Sequence, residues 1–439
     1  MNPVVAIVGR PNVGKSTLFN RIARKNKAII TDEPGTTRDR NYADVQWDEV
    51  NFILIDTGGF EPEAKDEVNL HIQNQIRLAM EEADLILFLT DGKDGLTTVD
   101  TEIAERLRGV KNPVLYVVNK IDGRKHEENV YDFYQLGVKN LYSISAAHGR
   151  GIGDLLDNVV NLLPQSCETA EQDDDITRIA VLGRPNVGKS SLVNKILGNE
   201  RVIVSKIPGT TRDAIDTPLK IGEKKYLLID TAGIRRKGRV SQRLEKYSIV
   251  KALKIIDRCN IALILIDGEE GVTEQDAKVA GLVHDRGKGS VLVVNKWDLV
   301  EKDTHTASRY VETIMNHLKF MPYAPIIFVS ALTGQRVTKI INLVEDVAEQ
   351  HKSRVSTSEL NKVFEKIIRH HPPPSYRNRE LKLYYITQVT TRPPTFVIFV
   401  NSPRGIHFSY KRYLINGISD NLGFNRTPIR IIFRERGKA

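Results

Sequence analysis

The segment GRPNVGKS occupies Gly9–Ser16, and the same eight letters occur again at Gly183–Ser190. Each copy lies between a short apolar run and a helical pattern, which is the setting of a phosphate-binding P-loop. In such a loop, backbone N–H groups and the helix N-terminus bind phosphate oxygens, and the lysine reaches the terminal phosphates. The residues predicted to bind the nucleotide here are Gly9, Arg10, Pro11, Asn12, Val13, Gly14, Lys15, Ser16 and Thr17, and Gly183, Arg184, Pro185, Asn186, Val187, Gly188, Lys189, Ser190 and Ser191.

Further motifs recur in the same order, which indicates a tandem duplication. The pairs are PGTTRD at 34–39 and 208–213, DTGG and DTAG at 56–59 and 230–233, NKID and NKWD at 119–122 and 295–298, and SAA and SAL at 145–147 and 330–332. We therefore predict a first domain at 1–165, an acidic linker at 166–175, a second domain at 176–350 and a third, basic domain at 351–439.

Short runs rich in β-branched residues alternate with helical patterns in each repeat. In the first repeat the predicted strands are Val4–Val8, Phe52–Ile55, Leu85–Leu89 and Val114–Val118, and the predicted helices are Ser16–Arg24, Glu67–Glu82, Val99–Leu107 and Ile152–Leu162. This alternation predicts two α/β domains, each a doubly wound, mostly parallel sheet with ligand loops at the carboxyl ends of its strands. The third domain reads as α+β in the order αββαβ, with elements at Glu359–Arg369, Leu381–Thr390, Thr395–Val400, Ser409–Leu422 and Ile429–Arg434.

The DxxG and PGTTRD motifs predict a magnesium site beside each P-loop. The aspartate that ends a strand can hold Mg²⁺ through its water shell, and the DxxG glycine amide can contact the γ-phosphate. Either threonine of each GTT can bind the metal. The predicted Mg²⁺ residues are Ser16, Thr36, Thr37 and Asp56, and Ser190, Thr210, Thr211 and Asp230; Lys15, Thr36, Thr37, Gly59, Lys189, Thr210, Thr211 and Gly233 are predicted to act in catalysis. Nucleotide contacts are also predicted for Thr57, Gly58, Gly59 and Phe60, and for Thr231, Ala232, Gly233 and Ile234.

The NKxD motif selects guanine. Its aspartate can accept hydrogen bonds from N1–H and the N2 amino group, which adenine lacks, so adenine would leave the carboxylate unpaired. The asparagine can address the other edge of the base, the lysine stem can cover the ring, and the Ser-Ala pair adds a backbone amide. The predicted base contacts are Asn119, Lys120, Ile121, Asp122, Ser145 and Ala146, and Asn295, Lys296, Trp297, Asp298, Ser330 and Ala331. Two GTP or GDP sites and hydrolysis of GTP are therefore expected.

Composition narrows the class of partner. The net charge of +9 is uneven, because residues 1–165 carry −6, residues 166–175 carry −5, residues 176–350 carry +8 and residues 351–439 carry +12. A basic third domain with interleaved arginines and tyrosines, among them Tyr385 and Arg434, favours RNA as the polyanionic partner. Two isolated cysteines exclude a disulfide scaffold or zinc finger. We expect no membrane span, because the apolar runs fall short of about 18 residues. We expect no leader peptide, because Met1 leads within a few residues into the predicted strand Val4–Val8. The isolated cysteines fit a reducing cytoplasm, so a cytoplasmic location is expected.

The chain resembles the bacterial EngA (Der) GTPases along essentially its whole length. The resemblance includes both copies of GRPNVGKS, the segment DTAGIRRKGRV at Asp230–Val240 and the closing segment Pro428–Arg434. The resemblance implies a KH-like third domain and a role in assembly of the large ribosomal subunit, with the 50S particle and its RNA as partners. We expect a monomer and no DNA partner. The third domain lacks a clear GxxG loop, so the usual KH clamp on single-stranded RNA is not expected; it binds RNA through its basic surface or serves as a platform for the other domains.

Neither repeat carries the glutamine that orients the attacking water in Ras-like enzymes. Phe60 and Ile234 stand at the equivalent positions. The resemblance implies that Asn12 and Asn186 help to bind K⁺, whose charge can replace that of an arginine finger. Two alternatives remain: a tRNA-modifying GTPase, which shares GTTRD but would carry one GTPase domain and a C-terminal cysteine, and a switch in which one GTP site is structural.

Overall fold

The computed structural model describes residues 2–25, 42–57, 83–123, 128–138, 140–164, 176–198, 202–204, 216–231, 249–376 and 380–435. These residues form two compact units, one ending at residue 164 and the other beginning at residue 176. The predicted linker at 166–175 lies outside the described residues. The predicted domain boundaries stay predictions; the helix that ends the second repeat runs on to Lys352.

The first unit is a six-stranded sheet in the order β2-β3-β1-β4-β5-β6. Its elements are β1 (Val4–Val8), α1 (Lys15–Lys25), β2 (Tyr42–Trp47), β3 (Val50–Asp56), β4 (Leu85–Asp91), α2 (Thr98–Arg108), β5 (Val114–Asn119), a 3₁₀ segment (Glu128–Leu136), β6 (Leu141–Ser143) and α3 (Ile152–Leu162). Only β2 and β3 pair antiparallel; the other neighbours are parallel. The helix predicted at 67–82 lies outside the described residues.

The second unit repeats this plan in a seven-stranded sheet, β13-β12-β11-β7-β10-β9-β8. Its elements are β7 (Ile176–Leu182), α4 (Lys189–Leu197), β8 (Val202–Val204), β9 (Thr217–Ile221), β10 (Lys224–Leu228), α5 (Ile249–Arg258), β11 (Ile261–Asp267), α6 (Glu274–Asp285), β12 (Gly289–Asn295), α7 (Thr306–His317), β13 (Ile326–Phe328) and α8 (Val337–Lys352). The prediction of two mostly parallel, doubly wound α/β domains is confirmed.

Central strands of both sheets are buried along their whole length. Every residue of β4 and of β11 is buried, because a parallel sheet is covered on both faces and its strands are therefore continuously apolar. The polar residues at their ends, Asp91 and Asp267, are buried as well. Burial of a carboxylate requires partners, and these lie in the loops at the carboxyl edge of the sheet.

The basic C-terminal segment adds the predicted αββαβ arrangement to the second unit. Its elements are α9 (Thr357–His370), β14 (Leu383–Thr390), β15 (Thr395–Val400), a 3₁₀ turn (Pro403–Gly405), α10 (Phe408–Leu422) and β16 (Arg430–Glu435), with strand order β14-β15-β16. The pair β14–β15 is antiparallel and β15–β16 is parallel. One face of the sheet packs on both helices through residues that include Phe364, Ile398 and Leu414.

This segment is joined to the second GTPase-like fold by polar contacts at one end of its sheet. His351 Nδ1 lies 2.8 Å from Thr427 Oγ1, and the Gln350 side chain accepts from the Arg426 N–H at 2.7 Å. Arg430 donates to the Asp285 carbonyl at 2.6 Å.

None of the described helices is both long and apolar enough to cross a membrane.

Candidate nucleotide-binding sites

The P-loop lysines are held in the same way in both repeats. Lys15 Nζ donates to the carbonyls of Gly9 at 2.9 Å and Arg10 at 2.7 Å. Lys189 Nζ donates to the carbonyls of Gly183 at 3.0 Å and Arg184 at 2.6 Å. The loop thus curls around its own ammonium group and places it at the N-terminus of α1 or α4, where the backbone dipoles favour an anion.

The last glycine of each P-loop cannot be replaced by a residue with a side chain without strain. Gly14 has φ +96° and Gly188 has φ +93°, a region that residues with a Cβ rarely adopt. A Cβ on Gly14 would lie 2.4 Å from Asn119 Nδ2, and one on Gly188 would lie 2.2 Å from Asn295 Nδ2. The close approach links the P-loop to the NKxD motif.

The NKxD asparagine fastens two loops together. Asn119 Nδ2 donates to the Val13 carbonyl at 2.8 Å, and its Oδ1 accepts from the Ala146 N–H at 2.9 Å. Asn295 makes the same pair of bonds, to Val187 at 2.8 Å and Ala331 at 2.9 Å. Both asparagines are buried. Each therefore positions the phosphate loop and the Ser-Ala loop, and a contact with the far edge of guanine stays a prediction.

The NKxD lysines span the site in a strained backbone conformation. Lys120 has φ +67° and Lys296 has φ +59°. Lys120 Nζ pairs with Asp91, and Lys296 Nζ lies 2.5 Å from Asp267 Oδ2. Burial by itself raises the pKa of Asp91, but the ammonium of Lys120 and nearby backbone N–H groups lower it by more. The net pKa lies below the usual value, so the carboxylate stays ionised. The ion pair fixes the aliphatic stem that is predicted to cover the base.

The two base-reading aspartates differ in their surroundings. Asp122 Oδ1 accepts from Ser145 Oγ at 2.7 Å, and its Oδ2 lies 2.5 Å from Lys93 Nζ. The Lys93 ammonium and then the Ser145 hydroxyl lower the pKa of Asp122. Asp298 Oδ1, in contrast, is buried and has no hydrogen-bond partner among the described residues. An orphaned carboxylate oxygen in this place suits the N–H donors of guanine.

Two of the predicted magnesium residues, Ser16 and Asp56, are in contact in the first repeat. Ser16 Oγ donates to Asp56 Oδ2 at 2.6 Å, at the end of β3 beside the start of α1. In the second repeat Asp230 lies just beyond β10 with φ +57°, and its Oδ2 is 3.6 Å from Lys251 Nζ. A serine hydroxyl and a carboxylate are oxygen donors of the kind that Mg²⁺ prefers.

An arginine in each P-loop is anchored by an acidic helix cap that the motifs did not reveal. Arg10 Nε lies 3.4 Å from Asp100 Oδ2, and Arg184 Nε lies 3.5 Å from Asp276 Oδ2. Both aspartates complete a capping box with a threonine at the start of α2 or α6. The sequence does carry a signal for these caps, because an acidic residue follows each capping threonine by three positions, in TTVD and in TEQD.

The remaining predicted contacts fall into three groups. Buried ones are Val13, Thr57, Ile121, Ser145, Ala146, Val187, Thr231, Trp297, Ser330 and Ala331. Exposed ones are Pro11, Asn12, Thr17, Asn186 and Ser191, while Pro185 and Ser190 are half-buried. Thr36, Thr37, Gly58, Gly59, Phe60, Thr210, Thr211, Ala232, Gly233 and Ile234 lie outside the described residues.

Comparison with known proteins matches the sequence to one family over the whole chain. A family model described as 50S ribosome-binding GTPase matches residues 4–120 and 178–296. A model described as the C-terminal KH-domain-like region of EngA bacterial GTPase enzymes matches residues 354–434. The chain is 55% identical over 436 residues to GTPase Der of Geotalea daltonii, covering 99% of each protein. It is 54% identical to GTPase Der of Geobacter metallireducens, covering 100% of each.

Identity above half over the full length is far more than a shared fold would give. The expectations of a guanine nucleotide ligand, of GTPase activity and of a KH-like third domain are confirmed by these matches. The chain belongs to the Der (EngA) family of GTPases, and it is an enzyme that hydrolyses GTP.

Proposed function

We propose that the chain is a two-site GTP-driven switch that acts in assembly of the large ribosomal subunit, and that it binds 50S ribosomal RNA in a nucleotide-dependent manner. The observation that supports it is the repetition of one geometry: the P-loop lysine and the asparagine bridge make the same hydrogen bonds in both units. Repeated geometry at this level of detail favours two working sites over one site and a relic.

Phosphate binding at each site would use the groups that now bond each other. Lys15 and Lys189 would exchange loop carbonyls for β- and γ-phosphate oxygens, which are better partners for an ammonium because they carry charge. The N–H groups at the start of α1 and α4 point toward the same anion. The glycines at 14 and 188 keep the loop backbone close enough to reach it.

Magnesium fits the oxygen donors at this edge of the sheet. Ser16, Asp56 and one of Thr36 or Thr37 would hold it in the first site, and Ser190, Asp230 and one of Thr210 or Thr211 in the second. Mg²⁺ held by these residues would supply positive charge that neutralises the phosphates. Ser16 and Asp56 already lie together, since Ser16 Oγ donates to Asp56 Oδ2 at 2.6 Å.

Base selection would come from Asp122 and Asp298. In the second site the unpartnered Oδ1 of Asp298 would accept from guanine N1–H or N2. Lys296, fixed to Asp267 at 2.5 Å, would lay its stem over the ring. An adenine in the same pocket would leave the carboxylate unsatisfied, which costs about 1–3 kcal/mol or more for a charged group.

Hydrolysis would rely on a monovalent cation in place of a polar side chain. Asn12 and Asn186 are exposed, have φ +64° and +65°, and make no side-chain hydrogen bond among the described residues. Their amide oxygens would help to hold K⁺ beside the β- and γ-phosphates. Turnover measured in K⁺ and in Na⁺ tests this idea: a rate at least tenfold higher in K⁺ supports it, and equal rates overturn it.

The ribosome as partner is supported by charge and by the family. Residues 351–439 carry a net charge of +12, and a surface of this sign attracts the phosphates of RNA. The chain would work as a monomer in the cytoplasm, where ribosomes are built. Light scattering of the purified chain tests the monomer.

Co-sedimentation with isolated 50S subunits tests the proposal. The full-length chain would be mixed with 50S in GDP, GTP or a non-hydrolysable GTP analogue, over a series of salt concentrations. We expect binding that requires the GTP form and weakens with salt. Binding that ignores the nucleotide would remove the switch, and no binding in any state would remove the ribosome.

A further inference from the structure

The sheet of the C-terminal segment has an open face that neither the motifs nor the family comparison assigns. Alternate residues of its strands, such as Ile386, Ile398 and Phe433, pack against α9 and α10. The residues between them therefore face the other way. Pairing brings Tyr385, Phe399 and Arg434 into one row across the three strands.

That row begins with a stacked aromatic pair. The rings of Tyr385 and Phe399 have centroids 4.4 Å apart and planes 17° apart. Tyr385 is 42% exposed, and Ile432, on the same face in the next row, is 43% exposed. Large apolar side chains exposed together on one sheet face indicate a contact surface rather than random placement.

The row lies away from the joint with the second GTPase domain. The joint uses Arg392, Thr427 and Arg430, at the turn between β14 and β15 and at the start of β16. Tyr385, Phe399 and Arg434 lie toward the opposite ends of these strands. The hydrogen bonds of the joint therefore do not involve Tyr385, Phe399 or Arg434; on the same face Phe399 is half-buried and Val397, beside Ile432, is buried.

Positive charge borders the aromatic pair. Arg434 is exposed and ends the row, and Arg404 is exposed on the 3₁₀ turn that contacts β16. The segment that carries them has a net charge of +12. A flat aromatic surface flanked by arginines complements a chain with stacked rings and a phosphate backbone.

We propose that this open face, formed by Tyr385, Phe399, Ile432 and Arg434, binds unpaired RNA bases by stacking; the proposal rests on the proposed function and names the surface involved. Only bases outside a duplex can offer their faces to a ring, so double-stranded RNA is the poorer ligand. The segment lacks a clear GxxG loop, and a stacking surface on the sheet supplies sequence-tolerant binding without one.

The test measures binding of the full-length chain to a fluorescent, unstructured 12-nucleotide RNA by anisotropy. Tyr385→Thr keeps a good strand residue and removes the ring, so we expect binding about tenfold weaker. Tyr385→Phe keeps the ring and should bind as the unchanged chain does. Tyr131→Thr, at a 72% exposed tyrosine of the first unit, is the matched control and should have no effect.

Arginine variants test the charge. Arg434→Gln should weaken binding two- to fivefold and reduce the slope of log affinity against log salt by about one. Arg369→Gln, at a site on α9 whose side chain is 82% exposed, controls for loss of charge alone. GTP turnover should not change in any of these variants, because none of the substituted residues is among those predicted to bind the nucleotide or to act in catalysis.

The proposal is overturned if Tyr385→Thr binds the RNA as Tyr131→Thr does, if duplex RNA of equal length binds as well, or if the unchanged chain does not bind the oligonucleotide. In each of these cases GTP-dependent binding to 50S subunits would leave the proposed function standing and this surface without a role. Loss of 50S binding by the unchanged chain would instead overturn the proposed function.

Discussion

Lys93 Nζ lies 2.5 Å from Asp122 Oδ2, so the base-reading carboxylate of the first site already has a cationic partner. The second site has no such pair, since Glu269 occupies the position equivalent to Lys93 and Asp298 Oδ1 is unpartnered among the described residues. If the two aspartates bind guanine as we propose, the base would compete with an ammonium group for Asp122 and with none for Asp298. The two sites therefore differ in a way that their identical P-loops conceal.

Removing the Lys93 ammonium, which pairs with Asp122, should strengthen GDP binding in the first site. In a chain whose second site is disabled by Asp298→Ala, we expect Lys93→Ala to tighten GDP binding about two- to fivefold, as is typical for an exposed ion pair. Fluorescent GDP titration at low salt measures the effect, which should shrink as salt rises. Glu269→Ala, with the first site disabled by Asp122→Ala, is the control and should change binding little. Weaker binding after Lys93→Ala would contradict the competition.

The asparagine bridge should matter more for stability than the aspartate that is proposed to bind the base. Asn119→Ala removes two buried hydrogen bonds and leaves the Val13 carbonyl and the Ala146 N–H unpaired. We expect a loss of about 2–4 kcal/mol from the free energy of unfolding of the first unit, with nucleotide affinity lost as well. Asp122→Ala removes one hydrogen bond, from the buried Ser145 hydroxyl, so we expect a loss of affinity with a smaller loss of stability, about 1 kcal/mol.

Urea unfolding in the absence of nucleotide, followed by the fluorescence of Trp47 in a Trp297→Phe background, separates the two effects. If Asn119→Ala unfolds at the same urea concentration as the unchanged chain, the asparagine does not hold the loops and its role is limited to the base.

His351 should make the C-terminal joint sensitive to acid. Burial lowers the pKa of His351 to about 3, aided by the positive charges of Lys288, Arg392 and Arg430, whereas an unfolded histidine titrates near 6.5. Between these values the unfolded chain binds one more proton, so stability is full above pH 6.5 and falls as the pH drops toward 3, by up to about 1.4 kcal/mol per pH unit.

His351→Gln keeps a hydrogen-bonding group near Thr427 and removes this titration. The urea midpoint of the second unit, followed by Trp297 fluorescence in a Trp47→Phe background, should fall less steeply from pH 6.5 to pH 4.5 in the variant. Equal slopes in both chains would show that His351 does not titrate on unfolding.

Local motifs were enough to predict the strand–loop–helix setting of each P-loop. They did not predict the contacts between residues that lie far apart in sequence. GRPNVGKS predicts its strand–loop–helix setting because the loop, the lysine and the helix start are contiguous. The bridge made by Asn119 joins Val13 and Ala146, which lie far from it in sequence, and no pattern around Asn119 indicates that its amide is engaged by the protein. Lys93 belongs to no motif at all.

Edge strands were missed for a related reason. β2 (Tyr42–Trp47) is mostly half-exposed or exposed, and β6 (Leu141–Ser143) has three residues with none buried. Such segments lack the apolar run that reveals a central strand like β4. Pairing with a neighbour makes them strands, and pairing is not visible in a short window of sequence.

The number of guanine nucleotides bound per chain distinguishes two functional nucleotide sites from one. Equilibrium dialysis with saturating GDP and Mg²⁺ should give two nucleotides per unchanged chain, one for Asp122→Ala, one for Asp298→Ala and none for the double variant. GTP turnover should persist in each single variant and vanish in the double variant. One nucleotide per unchanged chain, or a single variant that loses all turnover while still binding one nucleotide, would contradict two independent hydrolytic sites.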